Sequence, residues 1–167
     1  MVGNWITYLA VVMATGIGIV VGLPDAVAES QSDREYLVKA AFLYNFAKFV
    51  EWPPQVFSEP QTPMRLCIVQ RAVEGKNLRQ CHILFVSASE KKRLPDLLPM
   101  LDRAPVLTVS DMRQFTHFGG MITLIKAQDT IRFEINVAAA QRVSLKISSE
   151  LLRLAKIVTN GRRKEKP

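Results

Sequence analysis

Cys67 and Cys81 are the only cysteines of the chain and its clearest candidates for chemistry. Cys67 lies inside the apolar run MRLCIV, and Cys81 comes directly before the apolar run HILFV. A disulfide between them would close a loop of about 15 residues and stabilise the fold by about 3 kcal/mol in the chain-entropy model. The alternative is two buried thiols that pack as small apolar side chains. The sequence holds no Cys-x-x-Cys motif, so it does not favour thiol exchange chemistry.

His82 and His117 are the only histidines. His82 follows Cys81 directly, but adjacent residues of a strand point to opposite faces, so the two cannot readily chelate one ion. No other carboxylate or cysteine stands at metal-ligand spacing from either histidine. The sequence therefore predicts no metal site and no cofactor, and it places His82 in the core or at a strand end.

Ser110 and Asp111 follow the run VLTV, at the end of a predicted strand, where the active sites of α/β folds collect. No histidine stands at a spacing that would complete a hydrolase triad with them. Gly119 and Gly120 indicate a tight turn, because no phosphate-loop motif follows them. No catalytic residue is predicted, and the chain is expected not to be an enzyme.

The N-terminus carries an export pattern. An apolar run from Trp5 to Leu23 is followed by Pro24 and by Ala26-Val27-Ala28, a small-x-small cleavage site. This pattern predicts a secretory signal peptide over residues 1–28, although no Lys or Arg stands in the first ten residues. An uncleaved membrane anchor is the alternative, since the run is near the lower limit for spanning a bilayer. Cleavage would leave a single domain, residues 29–159, without an integral membrane segment, in an oxidising compartment that favours pairing of the cysteines.

The chain is basic, with a formal net charge of +7 that rises to +8 when the signal peptide and its one charge, Asp25, are removed. Part of this charge lies in residues 160–167, NGRRKEKP, which are expected to form a solvated, disordered tail. Basic clusters can bind nucleic acid. An exported protein encounters little nucleic acid, however, and the tail lacks aromatic residues for base stacking. We therefore expect no nucleic-acid partner; a solubilising tail or weak attraction to anionic lipid headgroups are the alternatives.

The segment 36–53, YLVKAAFLYNFAKFVEWP, has two adjacent apolar stripes at helical spacing and predicts a helix covered on two sides. Ser32 and Glu35 are spaced as a capping box at its start. Five β-rich runs follow, at residues 64–69, 82–86, 106–109, 121–125 and 131–135. Helical segments separate the later runs: a short one near residue 93, one capped by Asn136, and a final one that begins at Ser148 and continues to about residue 158.

This alternation predicts an α/β domain. The expected architecture is a three-layer sandwich, with a mixed, mostly parallel sheet of about five strands flanked by helices on both faces.

These blocks, taken in order from the aromatic helix to the last helix, resemble the YfiR-like family of exported bacterial proteins. The resemblance covers nearly all of the mature chain and rests on six blocks in the same order. It implies a periplasmic, non-enzymatic regulator that binds the periplasmic sensing domain of an inner-membrane diguanylate cyclase and represses it, and so controls cyclic diguanylate and biofilm formation. It also implies an α/β sandwich and a tendency to self-associate, which makes a homodimer possible.

The resemblance further implies that Cys67 and Cys81 form the family's structural disulfide. One departure concerns the segment between them, where only residues 70–80 separate the two blocks. The family usually has a helix and another strand there. Because about a dozen residues are needed for a parallel crossover, the two runs are expected to pair antiparallel or in poor register, and the sheet to lack one strand.

The candidate partner contacts are apolar residues outside the regular core patterns, for which ordinary packing is the alternative: Trp52, Phe57, Phe115 and Phe118. The main rival function is a periplasmic small-ligand sensor or solute-binding module. Its ligand would lie in the strand-end loops around Ser110, Asp111 and Gly119.

Overall fold

The computed structural model describes residues 31–57, 59, 61–70, 77–128 and 130–158. Its helices are α1 (Gln31–Phe49), α2 (Leu94–Met100), α3 (Val137–Gln141) and α4 (Ser149–Leu154). Its strands are β1 (Val50–Glu51), β2 (Leu66–Val69), β3 (Ile83–Val86), β4 (Leu107–Ser110), β5 (Ile122–Ala127), β6 (Thr130–Ile135), β7 (Lys146–Ile147) and β8 (Lys156–Ile157). The predicted signal peptide and C-terminal tail lie outside the described residues.

Within the described residues, the main sheet has six strands in the order β2-β3-β4-β5-β6-β8. The pairs are parallel except for β5 and β6, which form an antiparallel hairpin. The short strands β1 and β7 pair separately. The predicted α/β class and mostly parallel sheet are confirmed. All five predicted strands are present in the main sheet and β8 adds a sixth to it; the sequence did not suggest β1, β7 or β8.

The apolar residues of the sheet divide between two buried clusters. Ile83 and Phe85 of β3 belong to a cluster that includes residues of α1, α3 and α4. Leu84 and Val86 of the same strand belong to the other, with residues of α2. Because successive side chains of a strand point to opposite faces, the two clusters lie on the two faces of the sheet. This arrangement is consistent with a sandwich.

The pairing of β2 with β3 differs from the antiparallel or poorly registered pair that the sequence predicted. The two strands are parallel and in register, with Leu66 opposite Ile83 and Val69 opposite Val86. The expectation of an antiparallel or poorly registered pair was wrong because residues 70–82 are sufficient for the return path. The described part of that path includes a 3-10 turn, Leu78–Gln80, whose Asn77 side chain accepts a hydrogen bond from the Arg79 N–H.

The ends of two helices also differ from expectation. α1 ends at Phe49, not at residue 53, because Val50 enters an extended pair with Ile147. α4 ends at Leu154, and the next residues pair with β6, where the Val158 N–H donates to the Ile135 carbonyl. β-branched residues at Ile157 and Val158 favour this strand over continued helix. Two of the predicted caps are present, with Asn136 accepting from the Ala139 N–H and Ser148 from the Leu151 N–H.

Candidate interaction site

The strand-end serine is a structural residue. Ser110, at the end of β4, is fully buried, and its hydroxyl donates to the Val86 carbonyl at 2.6 Å. The same oxygen accepts from the Met112 N–H at 2.9 Å. Both hydrogen-bonding functions of the hydroxyl therefore hold β3, β4 and the following turn together. It is not placed to act as a nucleophile or to bind a ligand.

Asp111 is the centre of an ion network that ties α1 to the carboxyl ends of the parallel strands. One carboxylate oxygen accepts from Lys39 at 2.8 Å, and the other accepts from the Ala88 N–H at 2.8 Å. Lys39 also contacts Glu35 at 2.8 Å, and Glu35 contacts Lys126 of β5 at 2.7 Å. Glu35 therefore binds lysines, whereas the sequence assigned it to a capping box with Ser32, a residue that lies inside α1.

The lysines keep this network charged at neutral pH. Hydrogen bonds from Lys126 and then Lys39 lower the pKa of Glu35 to about 2. Burial opposes the charge of Lys39, but hydrogen bonds with Asp111 and Glu35 outweigh it, so the pKa of Lys39 is raised. A general acid or base needs a pKa near the working pH, and neither group has one. The network serves to fix α1 on the sheet.

His82 lies buried at the start of β3. Its Nδ1 accepts from the Arg65 N–H at 2.8 Å, and its ring stacks on Phe57 at a centroid distance of 4.8 Å. Burial, and then the charge of Arg65, lower the pKa of His82, while a hydrogen bond with the backbone of Val56 acts in the opposite direction. The ring is thus a neutral structural imidazole. Within the described ranges, no three His, Cys, Asp or Glu residues are grouped so as to hold a metal ion.

The two cysteines are joined in the structure by a disulfide, with their Cα atoms 5.9 Å apart. Cys67 lies in β2, and Cys81 stands just before β3. The bond therefore crosses between neighbouring parallel strands and fastens the edge strand to the sheet.

The candidate contact residues fall into three environments. Trp52 and Phe57 are half-buried and meet edge to face at 6.3 Å, beside His82. The Trp52 indole N–H has no hydrogen-bond partner among the described residues. Phe115 is fully buried, packed with Met112 and α2, so it does not offer a surface to a partner. Phe118, three residues later, is 52% exposed.

Phe118 borders an apolar groove of about 540 Å³ beside α2. Its other lining residues are Lys91, Leu94, Pro95, Leu98 and Pro99. The groove is apolar along its length, with a single cation among its lining side chains. Its size and chemistry suit an apolar side chain of a partner or a small amphipathic molecule.

Two further apolar surfaces lie outside the four candidate contact residues. On α1, Leu37 is 62% exposed and Tyr44 is 64% exposed, so the apolar stripe that contains them faces solvent, whereas the stripe that contains Phe46 is buried. On β2, Leu66 and Ile68 are 49% and 57% exposed. The wide apolar arc of α1 is visible in the sequence, whereas the exposure of β2 depends on its place at the edge of the sheet. Within the described part of the chain, no helix combines the length and apolar character needed to cross a bilayer.

The comparison with known families decides the assignment. The model of the YfiR/HmsC-like family matches residues 36–80 and 69–156. The chain belongs to the YfiR/HmsC-like family. The two matched segments overlap at residues 69–80, which include the end of β2 and most of the connection to β3. No curated protein matches the chain.

The YfiR-like family is regulatory and non-catalytic, and its members are periplasmic. Membership is consistent with a periplasmic regulator of diguanylate cyclases. In this structure, Ser110 and Asp111 at the end of β4 and Lys39 of α1 are all engaged in contacts that hold the fold.

Proposed function

We propose that the mature chain is a periplasmic repressor that binds the periplasmic sensing domain of an inner-membrane diguanylate cyclase and holds it inactive. Family membership over residues 36–156 is the observation that carries this proposal. The exposed apolar surfaces at Phe118, on α1 and on β2 support it, since contiguous apolar surface on a soluble domain marks interaction sites.

Repression requires differential binding. A protein that bound the active and inactive conformations of the cyclase equally would shift nothing, however tightly it bound. The repressor therefore binds the inactive conformation more tightly, and its loss raises cyclic diguanylate and promotes biofilm formation.

The proposal includes export. Signal peptidase would cleave after Ala28, leaving a domain of residues 29–159 and a basic disordered tail of residues 160–167. Mass spectrometry of the protein recovered from periplasmic extract tests this. A mature N-terminus at Glu29 is expected, and a protein retained in the membrane with residues 1–28 intact would contradict cleavage.

Cyclase activity gives the direct test of repression. Purified protein is added to the detergent-solubilised cyclase from the native host, in which the periplasmic domain and the GTP-binding domain are both accessible, and cyclic diguanylate synthesis is measured. We expect synthesis to fall with increasing protein and the cyclase to co-purify with it. Unchanged synthesis, with no cyclase recovered, would overturn the proposal.

The contact surface is proposed to include Phe118, with Trp52 and Phe57 at a second position. Phe118→Ser should weaken binding to the cyclase about tenfold, because one large apolar side chain in an interface contributes roughly 1–3 kcal/mol. Leu154→Ser is the matched control, since Leu154 is 77% exposed on α4. Binding that is equally weakened by both substitutions, or by neither, would place the contact elsewhere.

A small-ligand sensor is the second candidate, and the groove beside Phe118 is the observation that favours it. The strand-end loops do not favour it, because Ser110 is buried and fully hydrogen-bonded and Asp111 is held by Lys39. Native mass spectrometry of the purified protein separates the two functions. A retained molecule that Phe118→Ser releases supports the sensor, and a ligand-free protein that represses cyclase supports the regulator.

A further inference from the structure

Among the residues that the structure describes, no strand pairs with the outer side of β2, which is an open strand edge. β2 ends the six-strand order of the main sheet within the described residues and pairs only with β3. The carbonyls of Arg65 and Val69 accept from β3 and the residues beside it. Because backbone groups alternate in direction along a parallel strand, the N–H and C=O groups of Leu66 and Ile68 point away from β3. These groups can pair with a further strand.

This edge lacks the features that usually block such pairing. β2, with the sequence LCIV, has no charged residue and no proline. Natural edge strands are blunted by lysines, prolines, bulges or very short length. The opposite edge of the same sheet follows that rule, since β8 has only two residues and begins with Lys156.

The side chains of the edge form an apolar surface on one face. Leu66 and Ile68 lie opposite Ile83 and Phe85, which face α1. α1 does not cover them, because both remain about half exposed, and Met64 before them is 39% exposed. A strand added to β2 would therefore gain backbone hydrogen bonds and apolar contacts together.

The edge is also held in place without a partner. The disulfide fastens Cys67 to Cys81, and the His82 ring accepts from the Arg65 N–H at the start of the strand. A strand fixed in this way loses little conformational freedom when it binds, which favours affinity.

The charge of the described residues at this edge is of one sign. Residues 64–70 and 77–80 contain Arg65 and Arg79 but no Asp or Glu. In a second copy of this chain, these described residues would bring no carboxylate to the two arginines. A partner segment with acidic residues beside its apolar ones would complement them.

We propose that the outer edge of β2 binds an extended segment of a partner protein, which adds as a strand and has apolar residues at alternate positions and a carboxylate facing Arg65. Main-chain hydrogen bonds would supply affinity, and the alternate side chains specificity, as in other cases of strand addition. The identity of that partner as the cyclase rests on the proposed function, but the edge itself can be tested alone.

The first test uses synthetic eight-residue peptides with valine at alternate positions and either glutamates or lysines at the ends. We expect the glutamate peptide to bind, to slow hydrogen exchange of the Leu66 and Ile68 amides, and to bind at least tenfold more tightly than the lysine peptide. Absence of binding, or protection elsewhere in the chain, would overturn the proposal.

Proline substitutions supply the matched pair. Ile68→Pro removes an N–H that points away from β3, so it should leave the fold intact and abolish peptide binding. Ile157→Pro is the matched control at the β8 edge. It also removes an N–H that points away from the sheet, because the neighbouring Val158 N–H is the one that donates to β6. It should leave peptide binding unchanged. A wild-type dimer that Ile68→Pro dissociates in sedimentation would show that a second copy occupies the edge, and would overturn the proposal.

The cyclase assay separates this inference from the proposed function. If Ile68→Pro still represses the cyclase at the wild-type concentration, the edge is not the cyclase contact and the regulatory function stands. If the glutamate peptide protects the edge but the wild-type protein does not repress, the strand-addition site stands and the assignment of the cyclase as partner fails.

Discussion

At the scale of single residues, His82 couples the start of β3 to the residues before β2. Its Nδ1 accepts from the Arg65 N–H, so that nitrogen carries no proton in the folded state. Protonation would break this hydrogen bond and place a charge against Phe57 in a buried site. Burial and Arg65 accordingly lower the pKa of His82 from its ordinary value of 6.5.

His82 is expected to make stability depend on pH. The unfolded chain takes up a proton on His82 near pH 6.5, before the folded chain does, so stability is lost as pH falls below that value. His82→Asn keeps an acceptor near the Nδ1 position and does not titrate. Chemical denaturation at a series of pH values from about 7.5 to 5 should show the wild type losing more stability than the variant. Parallel pH profiles would contradict this reading of His82.

Position 120 must be a glycine because the ring of Phe115 packs directly against its backbone. A Cβ at Gly120 would overlap the Phe115 side chain, which is fully buried and cannot move into solvent. Gly120→Ala should therefore destabilise the protein by about 1–3 kcal/mol through overpacking. Urea denaturation of Gly120→Ala, Phe115→Leu and the double variant checks the cause. The double variant should be more stable than the sum of the single effects predicts, and simple additivity would exclude the ring as the cause.

At the scale of elements, β2 is an edge strand that a disulfide fastens to the rest of the sheet. Within the described residues it pairs with β3 alone, and Leu66 and Ile68 are about half exposed. Val69 is its only fully buried residue. The covalent bond to Cys81 therefore supplies stability that packing supplies elsewhere.

Cys67→Ser is expected to lower the free energy of unfolding by about 3 kcal/mol, the chain-entropy value for a loop of this length. Thermal and urea unfolding under non-reducing conditions measure the loss. Wild type in excess reductant is the control and should fall to a similar stability. An unchanged melting temperature in the variant would show that the bond does not stabilise the fold.

α1 is fastened to the sheet by Asp111 as well as by apolar packing. Asp111→Ala removes the acceptor of both Lys39 and the Ala88 N–H, and leaves a partly buried lysine with fewer partners. Loss of these bonds should cost about 1–3 kcal/mol. Asp102→Ala is the matched control, because Asp102 is exposed and only loosely paired with Arg103. Equal melting temperatures for the two variants would show that the network contributes nothing.

At the scale of the whole molecule, one sheet carries both apolar clusters. Phe46 of α1 lies in the first and Leu84 of β3 in the second, and both are fully buried. β3 contributes residues to both clusters. Loss of packing in one cluster would therefore disrupt the strand against which the other cluster packs.

Unfolding is therefore expected to be a single cooperative transition. Phe46→Ala should cost about 3–5 kcal/mol and Leu84→Ala about 2–5 kcal/mol, each by leaving a cavity. Both should move the same transition when it is followed by far-UV and near-UV circular dichroism. Tyr44→Ala, at an exposed position of α1, is the control and should have little effect. Two separate transitions in either core variant would show that the layers unfold independently.

Much of this fold was predictable from local pattern. The five β-rich runs became strands, and Asn136 and Ser148 became caps, because side-chain alternation and hydrogen bonding to the next turn are local properties. The mixture of helices and strands likewise predicted the α/β class. The prediction was wrong where neighbours in space decided the outcome. Val50 and Ile157 lie in strands, and not in the expected helices, because they pair with β7 and β6 respectively.

The candidate site was less predictable than the fold. Phe115 and Phe118 are alike in sequence context, yet one is fully buried and the other borders a groove. Their exposure depends on how the 3-10 turn Phe115–Phe118 sits against α2, which no local pattern encodes. The same is true of Leu66 and Ile68, whose apolar character resembles that of any core strand.

By itself, the sequence determined most of the elements, the family and the two cysteines available for a disulfide, because each of these depends on residue types and their order along the chain. Only the tertiary structure decided that Ser110 and Asp111 hold the fold and that β2 lies parallel to β3 at an open edge. It also decided which apolar residues face solvent. Burial, strand order and edge position arise from contacts between distant segments, so they are properties of the packed molecule.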